Sequence, residues 1–592
     1  MEKIKASDYI VEWLSAHGVD TVFGYQGGMV THLADSISNH SKMKFVQVYH
    51  EQTAAFAAVG YARHNCRLGI AIATSGPGAT NLITGIADAF FDSVPVIFIT
   101  GQVNTYEYKY EKPIRQLGFQ ETNIVEVVKP ITKYAKLVDK IEDLPNELAK
   151  AFEIANSGRK GPVLLDLPMN IQREFLFHEQ LADIKPQEKT TNLAAQELEL
   201  KNVVDEIKKS KRPLLLIGGG IATANAFELL NSFLEKTQLP FVSSLLGKTA
   251  CNEKLEHYVG TIGSYGNRCA NMAIANADLL LVLGARLDVR QTGGVVSGFV
   301  KEGKIIHLDI DRNELEHSRI SDKSNINIDI SDALKRLISR VEPLFNSEWH
   351  NYLTMLKNNY NQTREIIRTQ VKSAPYDLMN YLNIISEDTD IYCADVGQNQ
   401  MWAMQMLQLT QNQRFYTSGG FGAMGSALPI SLGVAFAKKN DATIYSINGD
   451  GGTHMALQSL MLIKQYDLPI KVIVINNKTL GMITQFQELY FNNNMVGTTA
   501  HGGYLVPDFE SLAKAYGLNY FRVDQTNNRQ FDKSDFIGFV QSKNCLLEYI
   551  IDNDCRVYPK LEFNQPIYNS SPALPRDELI DAMLIKIVDI ND

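Results

Sequence analysis

The stretch from Thr443 to Met482 constrains the fold more than any other part of the chain. A short apolar run of β-rich composition, Thr443-Ile444-Tyr445-Ser446-Ile447, breaks at Asn448-Gly449-Asp450-Gly451-Gly452. Apolar residues at helical spacing follow (Met455, Leu457, Leu460, Met461, Ile463), and a second apolar run, Ile470 to Ile475, ends at Asn476-Asn477. Strand, glycine turn, helix and strand in this order predict a parallel sheet with crossover helices. Glycines delivered by a strand to a helix start leave backbone N–H groups and the helix dipole facing an anion. Asp450 at the same turn repels a bare phosphate, so the pattern makes chemical sense when a divalent cation bridges the two. Asn477 adds a neutral oxygen at the next strand end. One carboxylate, one amide oxygen, a backbone carbonyl and water suit octahedral Mg²⁺. A lone Gly-Asp-Gly is usually a corner. Here 24 residues and then Asn-Asn follow it, which is far more specific.

The rest of the chain bounds the reading. Its 592 residues predict about three to four domains. A net charge of −9 offers no electrostatic reason to expect a nucleic-acid partner or an anionic membrane. No run of eighteen apolar residues exists and the opening MEKIKASDYI lacks an apolar signal core, so no membrane span is expected. Six scattered cysteines without a CxxC pair suggest neither zinc nor a disulfide framework and fit a reduced, cytoplasmic setting.

A first helix is expected from an N-cap at Ser7 to about Gly18, and strands at Thr21–Phe23, Phe45–Tyr49 and Ile70–Ala73. After Glu51 the helix Ala54, Ala55, Ala57, Ala58, Gly60, Ala62 has almost no side-chain bulk and can approach another backbone closely, as at a tight subunit contact. Gln180–Leu200 reads as a polar linker. A second α/β pattern begins at Pro213-Leu214-Leu215-Leu216-Ile217-Gly218-Gly219-Gly220, and Ser347–Lys372 reads as a partly helical linker into a third. The tail from Cys555 is Pro-rich and is expected to lie across the body before a short terminal helix. The fold class is therefore α/β, with three doubly wound parallel-sheet domains placed at 1–180, 195–345 and 373–560, and a tail at 561–592.

The Gly-Asp-Gly…Asn-Asn pattern resembles the fingerprint of the thiamine-diphosphate (ThDP)-dependent enzymes. FGYQGG, HEQTAAFAAVGYAR, SGPGATN, GQV, FQE and GRKGPVLLDLP in the first third, GGG, GARLDVRQTG and HLDID in the middle, and DVGQNQMWAMQ and TSGGFGAMGSALP in the last third are similar to the acetohydroxyacid (acetolactate) synthase branch. The resemblance spans essentially the whole chain. It implies a pyrimidine-binding domain, a central FAD-binding domain whose flavin does no net redox work, and a diphosphate-binding domain.

The roles that follow are those the resemblance implies. Glu51 is the carboxyl group that hydrogen-bonds ring N1′ of ThDP. Met424 is the wedge that bends the cofactor and Gly422 the carbonyl that receives its 4′-amino group. Phe119, Gln120 and Phe486 stand on the substrate side. Gln26, Pro77, Asn81, Val396, Gly397, Gln398, Gly449, Gly451, Gly452, Leu480, Gly481 and Met482 contact ThDP. Asp450, Asn477 and the backbone carbonyl of Thr479 hold Mg²⁺. Arg159, Gly218, Gly219, Gly220, Arg286, Asp288, Arg290, Asp309 and Asp329 contact FAD. The implied reaction is decarboxylation of pyruvate and transfer of its two-carbon unit to a carbonyl acceptor, in a homodimer or homotetramer with active sites at the subunit interface.

The sequence departs from the family at four places. Gln26 stands for a usual proline, Phe486 for a usual tryptophan and Asn399 for a usual histidine, and the segment between Gln102 and Phe119 is longer and tyrosine-rich. A smaller aromatic enlarges the acceptor pocket, and a Tyr/Lys loop can meet a charged acceptor. Three readings therefore stay open: acetolactate synthase with a second pyruvate as acceptor, the same donor chemistry onto a larger ketone such as a keto-sugar nucleotide, and a non-catalytic nucleotide-binding scaffold.

Overall fold

In the computed structural model, residues 3–177, 193–438 and 441–588 are described. They build three six-stranded sheets, all parallel. The N-terminal sheet runs Lys44–Gln47, Thr21–Gly24, Gly69–Ala73, Val96–Gln102, Val163–Pro168, Tyr134–Leu137 from edge to edge. In chain order that is 2-1-3-4-6-5. The C-terminal sheet repeats it with Arg414–Tyr416, Ile391–Ala394, Ile444–Gly449, Ile470–Asn476, Cys545–Ile550 and Asn519–Asp524. The central sheet is wound differently, as Tyr258–Thr261, Phe241–Ser243, Pro213–Ile217, Leu279–Leu283, Lys304–Asp309, Ser324–Asn327. Its order, 3-2-1-4-5-6, is the dinucleotide-binding arrangement, with a crevice where the winding reverses. The central strands are continuous apolar runs such as PLLLI and LLLVL, both fully buried, as parallel strands covered on both faces must be.

The outer sheets share one core through a helix pair. The Ala-rich helix Glu51–Asn65 lies against Ala427–Ala437. A Cβ on Gly60 would stand 2.2 Å from the Ile430 carbonyl oxygen, and one on Gly433 would stand 1.8 Å from that of Ala57. Nothing larger than glycine fits at either position. The close approach expected from composition thus joins two parts of one chain.

Several expectations are corrected. The first helix spans Ala6–Ala16 with Lys5 at its N-cap, because Lys3–Lys5 is tied as a strand to Phe175–Phe177 up to that point; Ser7 is buried and bonded to Ser36. The second strand stops at Gln47. Residues 178–192 lie outside the described residues, but Leu193–Lys209 is a helix, so the last eight residues of the expected linker are helical. Ser347–Lys372 is two helices, Ser347–Tyr360 and Gln362–Thr369, of which the first buries Trp349, Leu353, Leu356 and Tyr360 in the central core. The helix after Gly-Asp-Gly is broken at Ala456 into Asp450–Met455 and Leu460–Gln465, leaving Met455 and Met461 exposed. The tail, as expected, crosses the central core with Ile567, Tyr568 and Leu574 and ends in a helix at Arg576–Ala582. The fully buried Arg268 holds it through the carbonyls of Ser570 and Pro572 while pairing with Glu365. Among the described residues no helix is long and apolar enough to cross a membrane.

Candidate active site

Three neighbouring strands of the C-terminal sheet end at Ala394, Gly449 and Asn476 and deliver Asp395, Asp450 and Asn477 to one edge. This is the reversal point of a doubly wound sheet, where ligands bind beyond the carboxyl ends of the strands. Asp450 is buried, and burial pushes its carboxyl up to about 6. One of its oxygens accepts from the Tyr504 hydroxyl (2.6 Å) and the Gly451 N–H (2.7 Å), the other from the Lys478 N–H (2.8 Å). Every partner is neutral. Asn477 donates to Gln398 at 3.1 Å and turns its oxygen to the Thr479 N–H, while the Thr479 hydroxyl oxygen is buried without a partner. A buried carboxylate without a counter-charge, an amide oxygen and an unsatisfied polar group fit a hard divalent cation.

Asp395 organises the opposite wall. Its carboxylate accepts from the N–H groups of Gly425 (3.0 Å), Ser426 (3.0 Å) and Ala427 (3.3 Å), capping the helix Ala427–Ala437. Burial raises this carboxyl too, to about 6, against the lowering by those bonds. The carboxylate leaves no room for a side chain at Gly452, where a Cβ would stand 1.8 Å away. Asp395 therefore clamps the turn carrying Gly422 and Met424 against the Gly451-Gly452 loop. From the N-terminal domain, Asp92 accepts from the N–H groups of Gly419 (2.9 Å) and Gly420 (2.6 Å) and pairs with Arg63, and Asp88 accepts from Ser418.

Met424, Val396, Gly397, Gln398, Gly449, Asp450, Gly451, Gly452, Asn477, Thr479, Leu480, Gly481, Met482 and Phe486 all line one cavity of about 960 Å³. Phe486 stands in an aromatic wall with Tyr490 (4.9 Å between ring centres) and Phe563 (6.1 Å). Gly422 is exposed nearby at φ +74°, in the left-handed region.

Glu51 forms a second cluster elsewhere. It opens its helix, His50 caps that helix through Gln52 N–H, and the Glu51 carboxylate is buried with one oxygen accepting from Asn81 at 2.9 Å. Asn81 and Pro77 belong to the short helix Pro77–Asn81 after the third strand. Gln120 (φ +64°) backs onto Gly76 at the start of that helix, and Phe119 beside it is 81% exposed. Gln26 is exposed, its N–H on the Gln47 side chain. The structure brings Glu51, Pro77, Asn81 and Gln120 together, but none of them, nor Gln26 or Phe119, lines the Met424 cavity.

A second cavity opens at the reversal point of the central sheet. Gly219, Gly220, Arg286, Asp288, Arg290, Asp309, Asp329 and Arg159 line it, with Met401 and Met404 from the C-terminal domain. Gly218 does not line it; its backbone packs on Gly284, where a Cβ would stand 2.0 Å from the carbonyl oxygen. Arg159 is engaged by Asp311 (3.1 Å) and Glu314 (2.5 Å). Asp288 and Asp329 cap the helices Val289–Thr292 and Ile330–Ile338, and burial pushes Asp309 up to about 6. Glycine turns, three arginines, partly buried acids and methionine fit a dinucleotide that is polar at one end and flat and apolar at the other. Arg290, Ser264, Tyr265 and Met401 line both this cavity and the 960 Å³ one, so the two are neighbours.

Asp395 and Glu121 stand in quoted motifs and Tyr504 in none, and the sequence assigns a role to none of the three. Glu121 accepts from the N–H groups of Lys109, Leu117 and Gly118 and folds the tyrosine-rich segment back on itself. The partners of Asp395 and Tyr504 lie about thirty to fifty residues away in the chain, and local pattern carries no such signal.

Comparison with known proteins agrees with this architecture. Residues 4–127 match the thiamine pyrophosphate enzyme N-terminal TPP binding domain, 200–337 the central domain and 395–534 the C-terminal TPP binding domain. The chain is 36% identical over 519 residues to the acetolactate synthase isozyme 2 large subunit of Escherichia coli, covering 87% of this chain and 90% of that one. It is 34% identical over 567 residues to the acetolactate synthase large subunit of Corynebacterium glutamicum (94% and 88% covered), and 33% over 572 residues to that of Lactococcus lactis (95% and 96%). Three wound sheets, the strand-end constellation and likeness over nearly the full length lead to one conclusion: the chain belongs to the thiamine pyrophosphate enzymes, in the acetolactate synthase branch, and is a ThDP-dependent carboligase.

Proposed function

We propose that the protein decarboxylates pyruvate and transfers the two-carbon unit to a carbonyl acceptor, using ThDP, Mg²⁺ and FAD. The observation that carries this is the buried, counter-charge-free Asp450 beside Asn477 and Thr479 in the cavity that Met424 enters. The relatives' printed names supply the reaction type. When bound, ThDP supplies a nucleophilic carbanion and electron sink at C2 of its thiazolium ring. The chain's residues do the rest. Asp450, Asn477 and the Thr479 carbonyl would hold Mg²⁺, the Gly451 and Gly452 amides and Gln398 would orient the diphosphate, and Met424 would stand against the cofactor from the cavity wall. Glu51, kept from water and steadied by Asn81, holds a proton at N1′ of the pyrimidine. The central cavity would hold FAD, with Arg159, Arg286 and the Gly219-Gly220 turn in its lining.

Glu51 lies outside the cavity that Met424 lines, which favours a working site completed by a second copy, whose Glu51 side faces this chain's Met424. Partly exposed aromatics on the Glu51-bearing domain, Tyr25, Tyr49 and Phe119, favour such burial.

The acceptor is either a second pyruvate or a larger ketone. The aromatic wall of Phe486, Tyr490 and Phe563 favours the larger one, since three rings of that kind offer a stacking surface that a three-carbon acid does not use. The test is product analysis with isotopically labelled pyruvate, alone and with candidate ketones, on protein loaded with ThDP, Mg²⁺ and FAD. Release of CO₂ with a ligated product is expected; no CO₂ release sinks the reading. As isolated, the protein is expected to be yellow, and full activity of a colourless preparation without added flavin refutes the FAD assignment.

A further inference from the structure

The cavity that holds Asp450 and Met424 is walled on its far side by the tail, and the tail brings an ammonium with it. Lys560 lines this cavity although it is only 7% exposed. Its backbone is fully engaged, donating to the Ser571 carbonyl at 3.1 Å and accepting from the Ser571 N–H at 2.6 Å, while the next residue, Leu561, donates to Ser264. The backbone that carries the side chain is therefore fixed. Burial lowers the ammonium's pKa, and Glu562, the acid that opposes this, makes no ion pair with it. Among the described residues no carboxylate closes on Lys560.

A cation partly withdrawn from water with no acid paired to it is costly unless a ligand supplies the opposite charge. Two further cations share the lining, Arg319 and Arg290. Arg319 is held by the Thr292 hydroxyl and the Gly293 carbonyl, without an acid. The proposed cofactor diphosphate has its own partners in the strand-end amides and in the cation that Asp450 would hold. Lys560 belongs instead to the wall that carries Phe563, which packs on Phe486 and Tyr490.

We propose that Lys560 is an acceptor-selecting residue, and that the acceptor is a ketone carrying an anionic group, phosphate ester or carboxylate, at a distance from its carbonyl. This rests on the carboligase reading above. The ring or chain of the acceptor lies along Phe486, Tyr490 and Phe563, and its remote anion meets the Lys560 ammonium.

The test pairs each anion-bearing ketone with a partner lacking that anion, in competition for labelled pyruvate on the loaded enzyme: dihydroxyacetone phosphate against dihydroxyacetone, and 2-oxoglutarate against 2-oxobutyrate. The parent is expected to favour the anion-bearing member of at least one pair, and which pair responds separates phosphate from carboxylate. Lys560→Met, close to isosteric and checked for an unchanged melting midpoint, is expected to cut that preference by about tenfold to a hundredfold, the scale of one charge-assisted contact. Lys560→Arg should keep most of it. Calorimetric titration of the loaded enzyme with dihydroxyacetone phosphate or 2-oxoglutarate should show the same loss without turnover. No preference and no binding in the parent overturns the proposal, as does an equal loss for both members of a pair. So does weakened ThDP affinity in Lys560→Met, which would assign the ammonium to the cofactor. If the parent releases no CO₂ from pyruvate, the carboligase reading fails by itself, and the titrations still decide what Lys560 binds.

Discussion

The N-terminal and C-terminal sheets are wound in the same order, 2-1-3-4-6-5, yet their strand ends present different chemistry. At corresponding places past the third strand, the C-terminal sheet carries Gly-Asp-Gly-Gly and the N-terminal sheet carries Thr-Ser-Gly-Pro-Gly. The first buries a carboxylate among backbone amides, a cation and phosphate setting. The second buries none of its own and uses its short helix to bring Asn81 onto Glu51, which arrives from the preceding crossover. One frame thus serves two ends of a ligand, and what each end binds depends on a handful of residues just beyond the strands.

The sharpest way to break this comparison is to remove the acid on each side. Glu51→Gln should bind ThDP normally and lose about 10²–10⁴-fold in turnover, because an amide cannot hold and return a proton at N1′; turnover within tenfold of the parent would remove Glu51 from the mechanism. Asp450→Ala should instead lose cofactor affinity, by at least about a hundredfold in Mg²⁺-dependent ThDP binding after EDTA treatment. Equal affinity in the two proteins would mean that the two sheets do not divide the work in this way. Mixing these two inactive variants then tests how the halves meet. In a two-copy site, mixed pairs regain one intact site, and activity should return to about a quarter of the parent level; a mixture that stays dead places both halves in one chain.

Smaller effects probe the frame and the acceptor wall. Gly433→Ala should destabilise the protein by about 1–3 kcal/mol in urea unfolding, since the helices must part to admit the methyl group. An unchanged midpoint would mean that the helix contact is looser than the 1.8 Å approach implies. Phe486→Trp should shift the ratio of large-ketone to pyruvate ligation products by about tenfold, the usual reach of one altered apolar contact. A parent that makes only the pyruvate product, with no shift in the variant, would favour plain acetolactate synthase.

Much of this was legible before any coordinates, and for a physical reason. Strand ends that feed a ligand must carry glycine, asparagine and aspartate in short register, so Gly449 to Gly452, Asn477 and Gly218 to Gly220 announce themselves. The sheets followed from unbroken apolar runs such as Leu279–Leu283. What stayed hidden depends on distant partners. Asp395 reads as one more acid after a strand until Gly425 to Ala427 fold onto it. The helix Leu193–Lys209 is hidden because the stretch leading into it from Gln180 is polar and charged, and its burial at Leu200, Val203 and Ile207 depends on the central core. The edge strand Asn519–Asp524 went unread because its NYFRVD is half exposed and mixes polar with apolar residues. Lys560 was passed over for a similar reason: nothing in a Pro-rich tail marks one lysine as buried.

The helix contact made through Gly60 and Gly433, each against the backbone of the facing helix, also bears on how such a chain can change over generations. Domains joined by linkers can be exchanged like cassettes, because little is shared across the joint. Here the outer two meet through bare backbone, and Asp92 of the first reaches over to hold Gly419 and Gly420 of the last. Replacing either domain with a relative's would demand matching glycines and a matching aspartate on both sides at once. The first and third domains are therefore one hereditary unit, interrupted in sequence by the central domain, and recombination between relatives should succeed at the borders of the central domain only when both outer parts come from the same parent.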